Sequence, residues 1–560
     1  MQSEFRIALA QTWQVIKPYW QSKAGLKGWL ILLVVLVLTI FAASFQVSLA
    51  QVSGDILNAL NEKNTAKFIN RGLFYLGGQI ALLILGIIAS YLSEFLKNLW
   101  RKWMTESYLK QYFAQRAYYK LQQISNSIDN PDQRIQEDID SLASLAITII
   151  GSLAGSITGL IAASIALFNI SQGLLIGILS YSLISTLISY LLFGRILKNL
   201  TFLQLKKEAN FRFSLIKVKN YAESIAFYRG EKQEKEQINQ RLEKVIINEK
   251  KLTLWQNGYQ PSFQDLTERL PFFLTVLVLA PRVFSKQIKI GILQQSRENV
   301  FTVYQSFTTA FNQVTNLTAL AASGERLYSL TQVLLPDFDI SKEAVRTIDV
   351  SRNIDFKINN LTLQTPDYQR TLIKNLSLTL LPETKLLILG ESGSGKSSLL
   401  RALAELWKSG TGSLHLPQDS TCLFLPQKPY LVGSSLKEEL IYPNLNLELS
   451  TEELQAALSK VKLADLPERI GGFDQILNLS TILSLGEQQR VALARLFLHS
   501  PEYIFLDEAT SALDEETQAY IYSQLFSSNS TMISVGHRSS LIKYHNKILR
   551  LRADQSWEIE

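Results

Sequence analysis

Charged side chains vanish from long tracts of the first half of the chain. None occurs over residues 28–54, and the apolar part of that tract is long enough to cross a bilayer core of about 30 Å as a helix. A second apolar segment occupies residues 72–93. Residues 141–194 are again uncharged, too long for one crossing, and interrupted by the turn NISQG at 169–173. They predict two helices joined by that turn. Two further segments carry a weaker signal. LPFFLTVLVLAP, 270–281, is short and flanked by Arg269 and Arg282, and 300–324 is uncharged but rich in Gln, Asn and Thr. Hydropathy alone therefore predicts four spans, at about 29–49, 72–93, 145–168 and 173–193, with further candidates at 268–287 and 299–322. After about Ser351 short apolar runs alternate with helical patterns, which predicts an α/β domain. The predicted organisation is an α-helical transmembrane domain over 1–325, a linker over 326–352 and the α/β domain over 353–560.

Charge distribution orients the membrane part. Residues 94–140 carry Lys97, Arg101, Lys102, Lys110, Arg116, Lys120 and Arg134, and 195–269 are more basic still, whereas the turn at 169–173 carries no charge. The excess of Lys and Arg places the N-terminus and both long loops in the cytoplasm. Basic loops beside a membrane account for the net charge of +7 without a nucleic-acid partner. The aromatic and cationic residues of NLWRKW, 98–103, predict an anchor at the membrane interface. A single cysteine, Cys422, and four histidines exclude a disulfide framework and a Cys/His metal site. No cleaved signal peptide is expected, because the first 28 residues lack a short apolar core with a small-residue cleavage site.

The candidate chemistry lies in the second half. GESGSGKS fits the phosphate-binding pattern G-x-x-x-x-G-K-[ST] between a predicted strand and a predicted helix. Gly390, Glu391, Ser392, Gly393, Ser394 and Gly395 form a loop whose backbone N–H groups can cradle phosphates at a helix N-terminus. Lys396 brings positive charge, Ser397 a hydroxyl for Mg²⁺, and Ser398 follows in the first helical turn. YIFLDE ends an apolar strand in two carboxylates. Asp507 is placed for the Mg²⁺ shell and Glu508 to orient or deprotonate the attacking water, which suffices for phosphoryl transfer.

The series GESGSGKSS, LPQKPY, LSLGEQQRVALARL, YIFLDEATSALD, ISVGHRS, in that order, resembles the nucleotide-binding domain of ABC transporters. The resemblance implies ATP and Mg²⁺ as cofactors. It makes Gln427 the Q-loop glutamine that touches metal or water, His537 the switch histidine at the γ-phosphate, and SALD, ending at Asp514, the D-loop. In that family the signature motif, here LSLGEQQR, caps the ATP held by the P-loop of the opposite domain. Ser484, Gly486 and Glu487 then complete a site in a second copy. One P-loop and one signature motif imply half of a transporter, working as a homodimer. Leu485 stands where the common form has glycine, and Glu487 where it usually has Gln. Thr365 occupies the usual place of the adenine-stacking aromatic, with Tyr368 nearby.

The membrane half narrows the resemblance. LWRKWMTESYL, RAYYKL, IDNPDQRIQEDI, NYAESIAFYRGE and LAPRVF resemble the SbmA/BacA-like branch, related to the subfamily D transporters of peroxisomal membranes. This implies six spans in the ABC exporter fold, and coupling segments at 129–135 and 222–231 that dock on the nucleotide-binding domains. Family substrates include peptide antibiotics, cobalamin and acyl-CoA, so the expected activity is ATP-driven movement of hydrophilic solutes such as cobalamin or peptides in a bacterial plasma membrane. Lipid or acyl-CoA transport is the alternative, and a non-transport ABC ATPase is disfavoured by the spans. Gln305, Thr309, Asn312 and Asn316 recur at helical spacing. They predict a polar face lining a solute path, with Phe307, Phe311, Val314 and Ala321 on the other side.

Overall fold

The structure, a computed structural model, describes residues 2–123, 130–334, 347–353, 356–418 and 421–560. The chain divides into two compact units, Met1–Phe338 and Asp339–Glu560.

The first unit is a bundle of long helices: α1 (Gln2–Gln21), α2 (Lys23–Asn61), α3 (Thr65–Phe113), α4 (Ile139–Ile170), α5 (Gln172–Ser189), α6 (Arg195–Asn220), α7 (Glu231–Thr253), α8 (Gln260–Phe284) and α9 (Ile290–Leu334). Side chains that satisfy free backbone N–H groups mark the starts. Ser22 accepts from Gly25 N at 3.0 Å and Asn64 from Lys67 N at 3.0 Å. Wide-turn π segments lie between α5 and α6 (Tyr190–Gly194) and between α7 and α8 (Leu254–Tyr259).

Among the described residues four helical stretches are long and apolar enough to cross a membrane, Lys23–Asn61, Thr65–Phe113, Pro131–Ile170 and Gln172–Asn220. They carry the four spans that hydropathy alone predicts. The weaker candidates overlap α8 and α9: Glu268, Arg269 and Arg282 lower the apolar signal of the first, and Gln, Asn and Thr side chains that of the second. Both helices nevertheless pack into the bundle, where Leu279, Val300 and Val303 share a buried cluster with Val47, Ala163 and Leu167. Small residues set the closest crossing. A Cβ on Gly291 of α9 would lie 2.0 Å from the carbonyl oxygen of Gly54 on α2.

Three sequence expectations change here. Residues 326–334, read as the start of a linker, continue α9, because Leu327, Leu330 and Leu334 are buried at helical spacing. Trp100 is not an exposed interfacial anchor: it is 1% exposed and stacks on Tyr19 at 5.5 Å. The polar stripe of α9 is divided: Gln305 donates to Glu268 at 3.3 Å and Asn316 to Gln313 at 2.8 Å, while Asn312 is exposed, as is Val314 on the other face. Of the expected coupling segments, Asp129 lies outside the described residues, while Ala222–Tyr228 is a short helix exposing Phe227 and Tyr228.

The second unit holds two sheets. The strands are β1 (Asp349–Arg352), β2 (Phe356–Gln364), β3 (Thr371–Leu380), β4 (Lys385–Gly390), β5 (Gly410–Leu416), β6 (Cys422–Leu425), β7 (Tyr503–Asp507), β8 (Thr531–Val535), β9 (Lys547–Leu551) and β10 (Trp557–Ile559). One sheet runs β1-β5-β2-β3 and the other β10-β9-β4-β8-β7-β6. In the larger sheet β6, β7, β8, β4 and β9 are parallel. KLLILG, YIFLD and TMISV are buried on both faces, as unbroken apolar strands in a parallel sheet should be. Alternate residues serve two cores: Leu387, Leu506 and Met532 face one, Ile388, Phe505 and Ile533 the other. Because β4, β8 and β7 run the same way, Gly390, Val535 and Asp507 reach the same edge of the sheet, where ligands of open α/β sheets bind.

Candidate functional site

The P-loop leaves β4 at Gly390 and enters the helix α10 (Lys396–Leu403). Gly393 and Gly395 take left-handed backbone angles, φ 82° and 97°, that disfavour a side chain. Glu391, Ser392 and Gly393 form the exposed crown, whereas Ser394, Gly395 and Lys396 are buried. Lys396 Nζ donates to the carbonyls of Gly390 and Glu391, both at 2.8 Å, and holds the loop closed. Ser394 Oγ is buried without a protein partner. Gly395 packs against β3, since a Cβ there would lie 3.2 Å from Leu372 Cβ. The turn carrying Tyr368 therefore belongs to the β2–β3 hairpin beside the loop. Tyr368 is half-buried, with φ 56° and its N–H on Thr365 O at 2.8 Å.

The strand ends bring the other groups in. Ser397 Oγ donates to Asp507 Oδ1 at 3.0 Å. Glu508, at the turn after β7, bridges two residues: Gln427 Nε2 donates to its Oε2 at 2.9 Å, and His537 Nε2 lies 2.8 Å from its Oε1. Burial pushes the Asp507 carboxyl above its ordinary range, reinforced by Glu508 and opposed by Ser397, Arg401 and Lys396. Burial likewise depresses the Lys396 ammonium, against the pull of Glu508 and Asp507. The loop, the Ser397–Asp507 pair and the Gln427–Glu508–His537 bridge thus converge on one sheet edge, with two carboxylates facing a lysine.

The signature segment forms the N-terminus of α11 (Leu485–His499). Ser484 and Glu487 make a reciprocal capping box. Glu487 N donates to Ser484 Oγ at 3.3 Å, and Ser484 N to Glu487 Oε2 at 2.9 Å. Arg469 grips the other carboxylate oxygen at 2.7 Å. Burial alone would raise the Glu487 pKa, but the bonds from Arg469 and Ser484 outweigh it and hold the carboxyl below its ordinary range. The glutamate that departs from the common motif is thus a helix cap. Gly486 lies close under the D-loop, where a Cβ would come within 3.1 Å of Ala512 O. Asp514 caps the next helix, α12 (Glu515–Phe526), accepting from Thr517 N at 2.8 Å. That backbone bond holds its carboxyl below the ordinary range.

Two residues that sequence reasoning missed tie these segments together. Gln489, 1% exposed, donates to Gln427 O at 3.0 Å and Ser511 Oγ at 3.2 Å, and accepts from Ala512 N at 3.0 Å. Arg538 donates to Leu513 O at 3.0 Å and Gln518 Oε1 at 3.1 Å. Both lie inside quoted motifs, at positions where the sequence gives no sign that their partners are loop backbone.

Comparison with known proteins decides the family. The family model for ABC transporter transmembrane region 2 matches residues 15–284, and that described as ABC transporter matches 373–511. An uncharacterized ABC transporter ATP-binding protein of Synechocystis is 38% identical over 95% of this chain and 81% of its own. The chain belongs to the ABC transporters. The chain carries one membrane region and one ATPase domain, so it is a half-transporter, and it couples ATP hydrolysis to transport across a membrane. It is homologous to subfamily D members. The chloroplastic ABC transporter D family member 2 of Arabidopsis thaliana is 34% identical over 100% of this chain and 89% of its own. The human protein named lysosomal cobalamin transporter ABCD4 is 31% identical over 99% and 96%.

Proposed function

We propose that two copies of this chain form a homodimeric transporter with two composite ATP sites, and that Glu508 is the group that activates water in each. The observation that carries this reading is the bridge Gln427–Glu508–His537 beside Ser397–Asp507. A carboxylate held from both sides is oriented before substrate arrives, which is what a general base needs. ATP lies with its phosphates on the loop 390–395 and the N-terminus of α10. The unpartnered Ser394 hydroxyl fits an acceptor-rich ligand there. Ser397 and Asp507 supply two oxygen ligands and Gln427 a third, leaving the remaining positions to phosphates and water, as Mg²⁺ prefers. When bound there, Mg²⁺ would supply positive charge against the phosphates. Lys396 exchanges its loop carbonyls for phosphate oxygens, and His537 contacts the γ-phosphate. Tyr368 borders the adenine. Ser484 and Gly486 of one copy face the γ-phosphate in the other, with Glu487 holding the cap and Asp514 the D-loop.

In the membrane, α8 and α9 complete six spans, in the SbmA/BacA-like manner of the sequence resemblance. The long basic loops and the ATPase domain lie in the cytoplasm, beneath a bacterial plasma membrane. The solute is hydrophilic and of the cobalamin or peptide kind. The uncharged polar groups of α9 and the human cobalamin relative favour this over acyl chains.

Glu508→Gln keeps the hydrogen-bonding shape and removes the base. ATP binding should remain while hydrolysis falls by about 10²–10⁴-fold. Hydrolysis near the wild-type rate in purified mutant protein would remove Glu508 from this role.

A further inference from the structure

A small cavity of about 20 Å³ lies between α5, α8 and α9. Its walls are hydroxyls and amides: Ser185 and Thr186 from α5, Gln264 and Thr267 from α8, Tyr304 and Asn312 from α9. No lining residue is charged. Asn312 is the one member of the sequence-predicted stripe that reaches it. The cavity is a built site rather than a packing flaw. Tyr304 and Thr267 share a hydrogen bond of 2.7 Å, and Tyr181 donates to Thr267 O at 2.8 Å. Thr186 is 8% exposed, and its Oγ1 has no protein partner. One turn back, Ser182 is fully buried and also unpartnered. A buried hydroxyl without a partner keeps its full desolvation penalty, and bundles in lipid have no bulk water to relieve it. The volume admits one water-sized guest.

Two π segments adjoin the cavity in the chain, Tyr190–Gly194 directly after α5 and Leu254–Tyr259 directly before α8, and such segments recur where helices serve function. Their rings form an aromatic layer. Phe193 meets Trp255 at 6.1 Å and Phe263 at 5.5 Å, and Tyr190 meets Phe311, itself a cavity residue, at 5.1 Å.

We propose that this cavity is the closed form of a solute subsite that takes uncharged hydrogen-bonding groups, amides or hydroxyls, and that one water occupies it when no solute does. The inference rests on the transporter reading and narrows it. Recognition is by neutral hydrogen bonds, not by charge or by an acyl chain. Parting of α5 and α8 at their π segments widens the cavity towards the loops.

Thiol reactivity tests this without knowledge of the solute. In a Cys422→Ser parent reconstituted in lipid discs, Thr186→Cys and Asn312→Cys are compared with Ile184→Cys and Leu187→Cys, exposed apolar positions on the same stretch of α5. The probes are iodoacetamide, a small neutral amide, and N-cyclohexylmaleimide, a lipid-seeking reagent, each applied with and without a non-hydrolysable ATP analogue. A thiol must ionise to react, so one held in lipid stays inert to the polar reagent. Iodoacetamide should modify Thr186→Cys and Asn312→Cys at least about tenfold faster than the two controls in one of the two nucleotide conditions. The proposal is overturned if neither cavity cysteine reacts with iodoacetamide in either condition, if the controls react equally fast, or if only the maleimide enters. Should Thr186→Cys fail to fold, Ser185→Cys, at a buried position of the same lining, decides. ATP hydrolysis by the Cys422→Ser parent is measured separately, so failure of the transporter reading is distinguishable from failure of the subsite.

Discussion

Glu508 takes a left-handed backbone conformation, φ 50°, immediately after the last residue of β7. A non-glycine residue there is strained and persists only where its surroundings fix it. Here Glu508 N donates to Val535 O at 3.2 Å, and the side chain is held by Gln427 and His537. The motif makes the pair of acids legible from sequence. The turn that aims the second acid away from the strand, and the partners that hold it, depend on strands distant in sequence. His545 illustrates a residue whose role sequence alone does not reveal. It is buried, its Nδ1 lies 2.8 Å from Leu541 O, and desolvation lowers its pKa from 6.5 to about 4, with Lys385 adding to the effect. The folded protein therefore binds this proton more weakly than the unfolded chain. Between pH 6.5 and about 4 the unfolded state takes up a proton that the folded state refuses, so stability falls as pH drops through that window. The loss levels off at about 3 kcal/mol below both values. Thermal unfolding of the purified transporter followed from pH 7 to 4 should show a shallower decline in His545→Gln than in wild type. Parallel curves would contradict the assignment.

Elements are held together by groups that periodicity does not reveal. The helix Leu436–Ile441 is joined to α11 by a buried ion pair, Arg495 Nη2 to Glu439 Oε2 at 3.2 Å, with side chains 5% and 0% exposed. Arg495 also donates to Glu439 O at 2.8 Å and Tyr430 O at 3.0 Å, while Glu439 Oε1 accepts from Gly433 N at 2.8 Å. This knot fixes the segment after Gln427 onto the helix that begins with the signature motif. Glu439→Ala would strand a buried guanidinium, which costs about 3–5 kcal/mol. A large drop in the unfolding midpoint is expected, and a loss below about 1 kcal/mol would show that the pair is not a structural tie. The sequence reveals elements where the pattern is unbroken. The four strongly apolar spans and the buried strands of the P-loop sheet follow directly from their runs. α9 was less legible, because one helix serves several settings. Its start approaches α2 through Gly291, its middle lines the polar cavity, and its end carries the buried leucines past residue 325. Trp100 misled for a related reason. Aromatics beside cations also occur where helices pack, and here Tyr19 covers the ring.

At the scale of the molecule, one chain contains a membrane unit, an ATPase unit and half of each proposed ATP site. The P-loop offers lysine and hydroxyls, and the end of β7 adds two carboxylates. Ser484 and Gly486 sit at a helix N-terminus, where backbone N–H groups favour an anion. Within one chain the Ser484 hydroxyl is turned onto Glu487 at 3.0 Å, so engaging a phosphate of the other copy requires it to turn outward. ATP should therefore bring the P-loop crown of one copy against the signature serine of the other. The direct measurement is disulfide crosslinking of a chain carrying Ser392→Cys and Ser484→Cys in the Cys422→Ser, Glu508→Gln background, with and without ATP and Mg²⁺. The predicted result is a covalent dimer that forms on adding ATP and disappears on reduction. Absence of any ATP-dependent dimer from protein that still binds ATP, or closure of the disulfide within a single chain, would contradict it.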